Sequence, residues 1–216
     1  MRNNSSKAKK AVDLVAILPY FFGGKLFSLI KNKSYLKIIL SRYAKAGKII
    51  RLKKGLYVSR GYIDSLKKKD NLSKYSEFMA NILYNPSYLS LDWVMYENNL
   101  LTESPKNFTS ISLAKTAVFS NELGNFFYHK IKRDLFLGYV VFKKGEFTIF
   151  KATPAKALFD FLYLRKNFLT DKKAIGELRL NLENFREKDW PELEKYVKLE
   201  KSKKMRTIFN NLAEAK

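Results

Sequence analysis

The stretch from Asn32 to Ser59 constrains the fold more than any other part of the chain. It reads Asn-Lys-Ser-Tyr-Leu-Lys-Ile-Ile-Leu-Ser-Arg-Tyr-Ala-Lys-Ala-Gly, then Lys-Ile-Ile-Arg-Leu-Lys-Lys-Gly-Leu-Tyr-Val-Ser. On a helix of 3.6 residues per turn, Leu36, Ile39, Leu40 and Tyr43 share one face. The opposite face carries Ser34, Lys37, Ile38, Ser41 and Lys45, with Lys33 and Arg42 on its flanks. Asn32 is placed to cap this helix and Gly47 to stop it. Beyond the stop, Ile49, Ile50 and Leu52 can return against Leu56, Tyr57 and Val58 across a Lys53-Lys54-Gly55 turn. A helix with one apolar and one basic side, a stop and a short basic hairpin spell a winged helix-turn-helix. Such a unit binds DNA.

The charge distribution agrees. Of 42 Lys and Arg in the chain, 18 fall in residues 1–69 beside two acids, Asp13 and Asp64, so that third carries +16 of the formal +22. A surplus concentrated in one segment is an electrostatic footprint for phosphates. The Lys-, Asn-, Ile- and Tyr-rich usage of an AT-rich genome does not by itself empty that segment of acids. At 216 residues and 46% hydrophobic content, the chain has room for two modest domains with packed cores. It has no cysteine, which excludes disulfides, thiolate zinc sites and thiol nucleophiles and fits a reducing compartment. Lys7, Lys9 and Lys10 before an apolar stretch imitate a signal peptide, but Asp13 interrupts it and no small-residue cleavage site follows. No uncharged apolar run approaches the ~20 residues of a membrane span. The expectation is a soluble, cytoplasmic protein without a membrane partner.

The expected fold class is α+β. The winged helix-turn-helix occupies 1–64, a linker 65–73, and a mixed α/β domain ending in helices 74–216. In the first domain, a helix over 6–18 ends at Pro19 and Tyr20–Gly24 form a turn packed by aromatics. A short helix over 25–31 precedes the reading helix. In the second, a helix spans 74–84, Asn85-Pro86 turns the chain, and another helix runs to about Asn98. Strands are expected near 108–112, 126–131, 136–142 and 146–151, the last two joined at Lys143-Lys144-Gly145. Thr153 or Pro154 starts a helix to about Lys166, with Ala157, Leu158, Phe161 and Leu162 on one face. The tail from Asp171 is helical and charged, with a break at Trp190-Pro191.

Catalytic signals are poor. His129 is the one histidine and sits in a strand-like run, whereas metal sites usually need several ligands. Neither common glycine-rich phosphate loop occurs, and no cofactor-binding or metal-binding pattern is present. Asp134 followed by Glu146 resembles the acid pair of a metal-dependent nuclease. The lysine expected two residues after the second acid is replaced by Thr148, and Lys151 lies too far along. Tyr and Phe number 13 and 17, enough to suggest base stacking. Most of these aromatics, such as Phe159, Phe161 and Tyr163, fall at core spacings.

Three segments together resemble the AbiE-type abortive-infection antitoxins of bacteria. They are Gly47–Tyr57, Asn85-Pro-Ser-Tyr-Leu-Ser-Leu91 and Ala152-Thr-Pro-Ala-Lys-Ala-Leu-Phe-Asp-Phe-Leu-Tyr163. The second is similar to the family's Pro-Ser-Tyr-Ile-Ser-Leu stretch. The third is similar to its Ala-x-Pro-Glu-Lys-Ala-Leu-x-Asp motif, with Ala155 in place of the usual Glu. The resemblance covers about residues 32–165 and implies an N-terminal winged helix that represses its own operon at inverted repeats. It also implies a C-terminal domain that neutralises a cognate nucleotidyltransferase-like toxin. Lys156 and Asp160 in the third segment, four residues apart, have the spacing of an exposed helical ion pair worth a few tenths of a kcal/mol.

The leading expectation is therefore a non-enzymatic DNA-binding antitoxin and autorepressor. Ser34, Tyr35, Lys37, Ser41 and Arg42 would face the major groove, with Lys33 and Lys45 on phosphates. Arg51, Lys53 and Lys54 would clamp the backbone or the adjacent minor groove of double-stranded DNA. Inverted repeats in its own promoter would take two copies, as a dimer or cooperatively. The alternatives are a regulator or accessory module of the same fold with no toxin partner, and, third, a metal-dependent nuclease.

Overall fold

The computed structural model of the chain describes residues 10–28 and 30–214. It is an α+β protein that divides into two compact units. The first is formed by Met1–Ser76 and Phe119–Gly124, the second by Glu77–Val118 and Asn125–Lys216.

In the first unit residues 10–15 are helical (α1); residues 6–9 of the expected first helix, with Lys7 and Lys9, lie outside the described residues. Phe21–Phe22, expected as part of a turn, form a two-residue strand (β1). A 3-10 helix over Gly23–Ser28 stands where a short α-helix was expected. A Cβ at Gly23 would come within 2.8 Å of Leu40 Cδ1, so the Leu40 side chain would have to shift to admit one. Helix α2 (Lys33–Lys45) follows, capped by Asn32, whose side chain accepts from Tyr35 N at 3.0 Å. Gly47 takes φ +66° just past its end, a left-handed conformation that glycine adopts without strain. Strands β2 (Ile49–Lys53) and β3 (Leu56–Ser59) form an antiparallel hairpin that pairs Ile50 with Val58, closed at Lys54-Gly55 with Gly55 at φ +83°. β1 adds on the far side of β3, giving the order β1-β3-β2. Leu36, Ile39 and Leu40 of α2 pack with Val12, Val15, Phe21, Leu26 and Ile49 in one core.

The stretch 65–73, expected as a linker, holds the end of one helix, a turn over 69–71 and the start of the next helix. Helix α3 (Arg60–Lys68) starts on Ser59, whose hydroxyl accepts from Tyr62 N and donates to Ala16 O. The chain reverses at Asp70, and α4 (Leu72–Leu83) begins. Ile63 and Leu66 anchor α3 to the core, while Lys67, Lys68 and Lys69 are exposed at its end.

Most of a mixed six-stranded sheet of order β6-β7-β5-β4-β9-β8 lies in the second unit. The expected strands are found as β5 (Asn107–Ser112), β7 (Gly124–Lys130), β8 (Tyr139–Lys144) and β9 (Phe147–Ala152). Sequence reading missed β4 (Ser87–Leu89), which precedes helix α5 (Leu91–Glu97), and β6 (Ala117–Asn121). β5 and β7 run parallel, as do β4 and β9; β4–β5 and β8–β9 are antiparallel. Helix α6 (Pro154–Arg165) starts at Thr153, whose hydroxyl accepts from Lys156 N. It packs against α5, β9, α8 (Asp189–Glu200) and α9 (Lys203–Ala213). Surrounded in this way, α6 buries every residue from Ala155 to Leu162 rather than one face. Between α6 and α8 lies the short α7 (Lys172–Gly176). Trp190-Pro191 sits in the first turn of α8, where proline costs no helical hydrogen bond, instead of breaking a helix. Among the described residues no helix is long and apolar enough to cross a membrane.

Candidate functional site

Helix α2 separates its residues as its period dictates. Lys33, Ser34, Lys37, Ile38, Ser41, Arg42 and Lys45 are exposed, and Leu36, Ile39 and Leu40 are buried. No acid stands in the first turn, and Arg42 and Lys45 lie in the last, where cations complement the helix dipole. Tyr35, expected to face the major groove, is half-buried and packs on the core with Tyr43 and Ala44. Ile38 keeps 47% of its surface exposed in the middle of this basic face. On the hairpin, Arg51 and Lys54 are exposed and Lys53 is half-buried, its ammonium 5.9 Å from the Phe119 ring. Burial lowers the Lys53 pKa. Two contacts within the first unit, missed in the sequence, hold segment 119–124 against this hairpin and α3. Asn121 Nδ2 donates to Leu52 O at 3.1 Å, and Arg60 pairs with Glu122 at 2.6 Å. Exposed Lys48, also missed, lies over the Tyr43 ring.

The second unit holds a polar network that periodicity did not reveal. Asp160 accepts from Lys156 Nζ at 2.5 Å, Ser90 Oγ at 2.8 Å and Tyr88 Oη at 3.1 Å. Both Lys156 and Asp160 have zero exposure, which corrects the expectation of an exposed ion pair. The spacing was right, but α6 is covered on all sides, so the pair lies inside the core. Lys156 Nζ is also 4.7 Å from the Phe159 ring centroid, 5.4 Å from Tyr196 and 5.8 Å from Tyr88, within cation–π range. Burial pushes the Asp160 carboxyl up, against the pull of Lys156 and the two hydroxyls. Burial likewise pushes Lys156 down, against Asp160. Tyr88 rises well above the usual phenol value through burial and the neighbouring carboxylate. Gly138, at φ +76°, leaves the space: a Cβ there would lie 2.3 Å from Tyr196 Oη and 3.0 Å from Lys156 Cδ. Tyr88 and Ser90 come from the second segment of the family resemblance, Lys156 and Asp160 from the third. The two segments meet at one carboxylate.

A second cluster is ionic. Lys151 Nζ lies 2.8 Å from Glu77 and 2.6 Å from Glu97, and Lys144 is 3.4 Å from Glu77. Burial raises the Glu97 pKa, with Lys151 opposing it. Two lysines thus balance two carboxylates. Asp134 lies exposed in a 3-10 turn, and Glu146 lies exposed in the β8–β9 turn. Among the described residues no group of three or more His, Cys, Asp or Glu is placed to hold a metal ion. His129 on β7 is half-buried, and burial, followed by the charge of Arg165, lowers its pKa.

No protein-family model matches the chain, and no curated protein matches it.

Proposed function

We propose that this chain is a DNA-binding antitoxin and transcriptional autorepressor whose first unit is a winged helix-turn-helix. The observation that carries the DNA reading is the exposed face of α2, with Lys33, Lys37, Arg42 and Lys45 on one side of a helix anchored by its other side. The order helix, strand, helical turn, helix and hairpin, with sheet order β1-β3-β2, supports the winged-helix assignment. In this reading α2 enters the major groove of double-stranded DNA. Ser34, Lys37, Ser41 and Arg42 reach base edges while Lys33 and Lys45 take phosphates; Tyr35 supports the helix from its half-buried position. Arg51, Lys53 and Lys54 hold the backbone or the next minor groove. Two copies occupy inverted repeats in the promoter of its own gene.

The toxin partner rests on the three-segment resemblance alone. The Asp160 network gives two of those segments a shared structural task, because it locks β4 and the start of α5 to α6. The second unit is then the surface that neutralises a nucleotidyltransferase-like toxin, and the protein itself performs no chemistry.

The test is a gel shift against the DNA upstream of its gene, with Lys37→Ala and Arg42→Ala beside the wild type. Each substitution is expected to weaken binding about tenfold. Unchanged binding by both would remove α2 from the interface. Co-expression with a nucleotidyltransferase encoded next to it tests the toxin reading through restored growth. A specific shift without rescue would make the protein the same module with no toxin partner.

A further inference from the structure

Strand β8 ends the six-stranded sheet and is exposed almost throughout. Tyr139 is 36% exposed, Val140 41%, Val141 55% and Phe142 42%, so the strand is apolar and open on both faces. A free, apolar edge strand is a template for another strand. The sheet closes a comparable gap elsewhere. β4 meets β9 only at Leu89 and Lys151, and beside that pair Asn81 covers the β9 backbone by bonding Phe150 N at 2.9 Å and Phe150 O at 3.2 Å. These bonds also orient β8. Val141 pairs with Phe150, and since both main-chain groups of Phe150 are engaged by Asn81, this is a non-hydrogen-bonded pair. The N–H and C=O of Val141 therefore point away from β9, toward the open edge, as do those of Tyr139 and Lys143.

We propose that β8 pairs antiparallel with β8 of a second copy about a twofold axis at Val141, joining two sheets into one. Neighbouring antiparallel strands related by a twofold keep the same face on the same side, so residues of like parity meet. Centred on Val141, Val141 meets its counterpart, Phe142 meets Val140, and Lys143 meets Tyr139 of the second copy. One face then buries Val140 and Phe142 from both copies. The other buries Val141 against Tyr139 and Phe150, whose rings already lie 6.1 Å apart. Centring on Val140 would instead set Phe142 opposite Gly138 and lose the apolar contact.

In this register the strand complements itself, apolar on apolar with its cations kept apart, and this points to a second copy as the occupant. The cations of the strand, Lys143 and Lys144, lie at its C-terminal end, and Lys144 is paired with Glu77. Antiparallel pairing sends the two Lys143 side chains to opposite ends, four residues or about 13 Å apart along the strand, beyond a screening length of about 8 Å. Each lysine stands across from a tyrosine ring, a favourable neighbour for a cation. The pairing stands on this edge and not on the DNA reading, and the two can fail separately.

The experiment is analytical ultracentrifugation of the full chain in DNA-free buffer. The wild type is expected to sediment as a dimer, and Val141→Lys and Val141→Glu each as a monomer, because like charges would meet on the axis. An equal mixture of the two variants recovers the dimer, since Lys then faces Glu. Val118→Lys, at an equally exposed valine on β6, leaves the dimer intact. Far-UV circular dichroism matching the wild type verifies that each variant is folded. A wild type that remains monomeric at its highest soluble concentration would overturn the proposal and leave the edge to a different chain. So would variants that dimerise like the wild type, or a mixture that stays monomeric.

Discussion

Asn in place of Asp160 separates charge from shape at the centre of the second unit. The amide keeps a carbonyl for the hydroxyls of Ser90 and Tyr88 but leaves the Lys156 ammonium without its carboxylate, in a site with no exposure. Removing one partner of a buried pair costs about 3–5 kcal/mol. The low end applies here, about 3 kcal/mol, because the ring faces of Phe159, Tyr196 and Tyr88 still attend the cation. Adding Lys156→Met removes that stranded charge, and the double variant is expected to return to within about 1 kcal/mol of wild type. The second substitution is thus expected to recover about 2 kcal/mol, as residues in direct contact are not additive. Urea unfolding followed by tryptophan fluorescence reads this unit, since Trp93 and Trp190 both belong to it. With a slope of about 2 kcal/mol per molar urea, Asp160→Asn should lower the midpoint by about 1.5 M. If the single variant unfolds no earlier than the double, Lys156 does not depend on Asp160 and the reasoning fails.

Other outcomes follow from single contacts. Replacing Lys53 and Lys54 by Ala should weaken DNA binding similarly for all sequences and flatten the salt slope by up to ~2 units; an unchanged slope would remove the hairpin from the interface. His129 has a depressed pKa in the folded chain, so the stability it contributes is present above its unfolded value of 6.5 and is lost as pH falls through the folded value. His129→Gln should therefore lose less stability than wild type between neutral pH and mildly acidic pH in matched urea titrations. Equal losses would show that His129 is not the group responding. Lys201 holds φ +68° at the end of α8, and Lys201→Gly should raise the stability of the unit by about 1 kcal/mol by relieving that conformation. Thermal unfolding at a lower temperature than wild type would contradict it.

The elements legible in the sequence are those with one buried side or a turn of restricted chemistry. Helix α2 could be read because Leu36, Ile39 and Leu40 repeat against solvent-facing Lys37 and Ser41, and its ends carry Asn32 and Gly47. Both hairpins were marked by Lys-Lys-Gly. β1 was not legible, because two residues have no period, and Phe21–Phe22 become a strand only by pairing with Tyr57 and Leu56. β4 lacks alternation for another reason: Ser87, Tyr88 and Leu89 are all buried, so both faces of the strand are covered. The same limit hid the Asp160 network. A spacing of four residues places Lys156 beside Asp160 whether the helix surface is wet or dry, and only the packing of α5, α8, α9 and β9 makes it dry. The 65–73 stretch looked like a connector because it is rich in lysine, while the buried apolar residues of α3, Ile63 and Leu66, are too few to show a period.

The most direct test of the account is a titration of the protein against the DNA upstream of its own gene, with scrambled DNA as competitor, at two salt concentrations. An operator-binding autorepressor should give discrete shifted species that resist the scrambled competitor and appear in two steps as both repeats fill. Smearing that is equally strong on scrambled DNA and vanishes with salt would contradict it. The basic unit would then be a general nucleic-acid anchor, and the function would lie in the second unit.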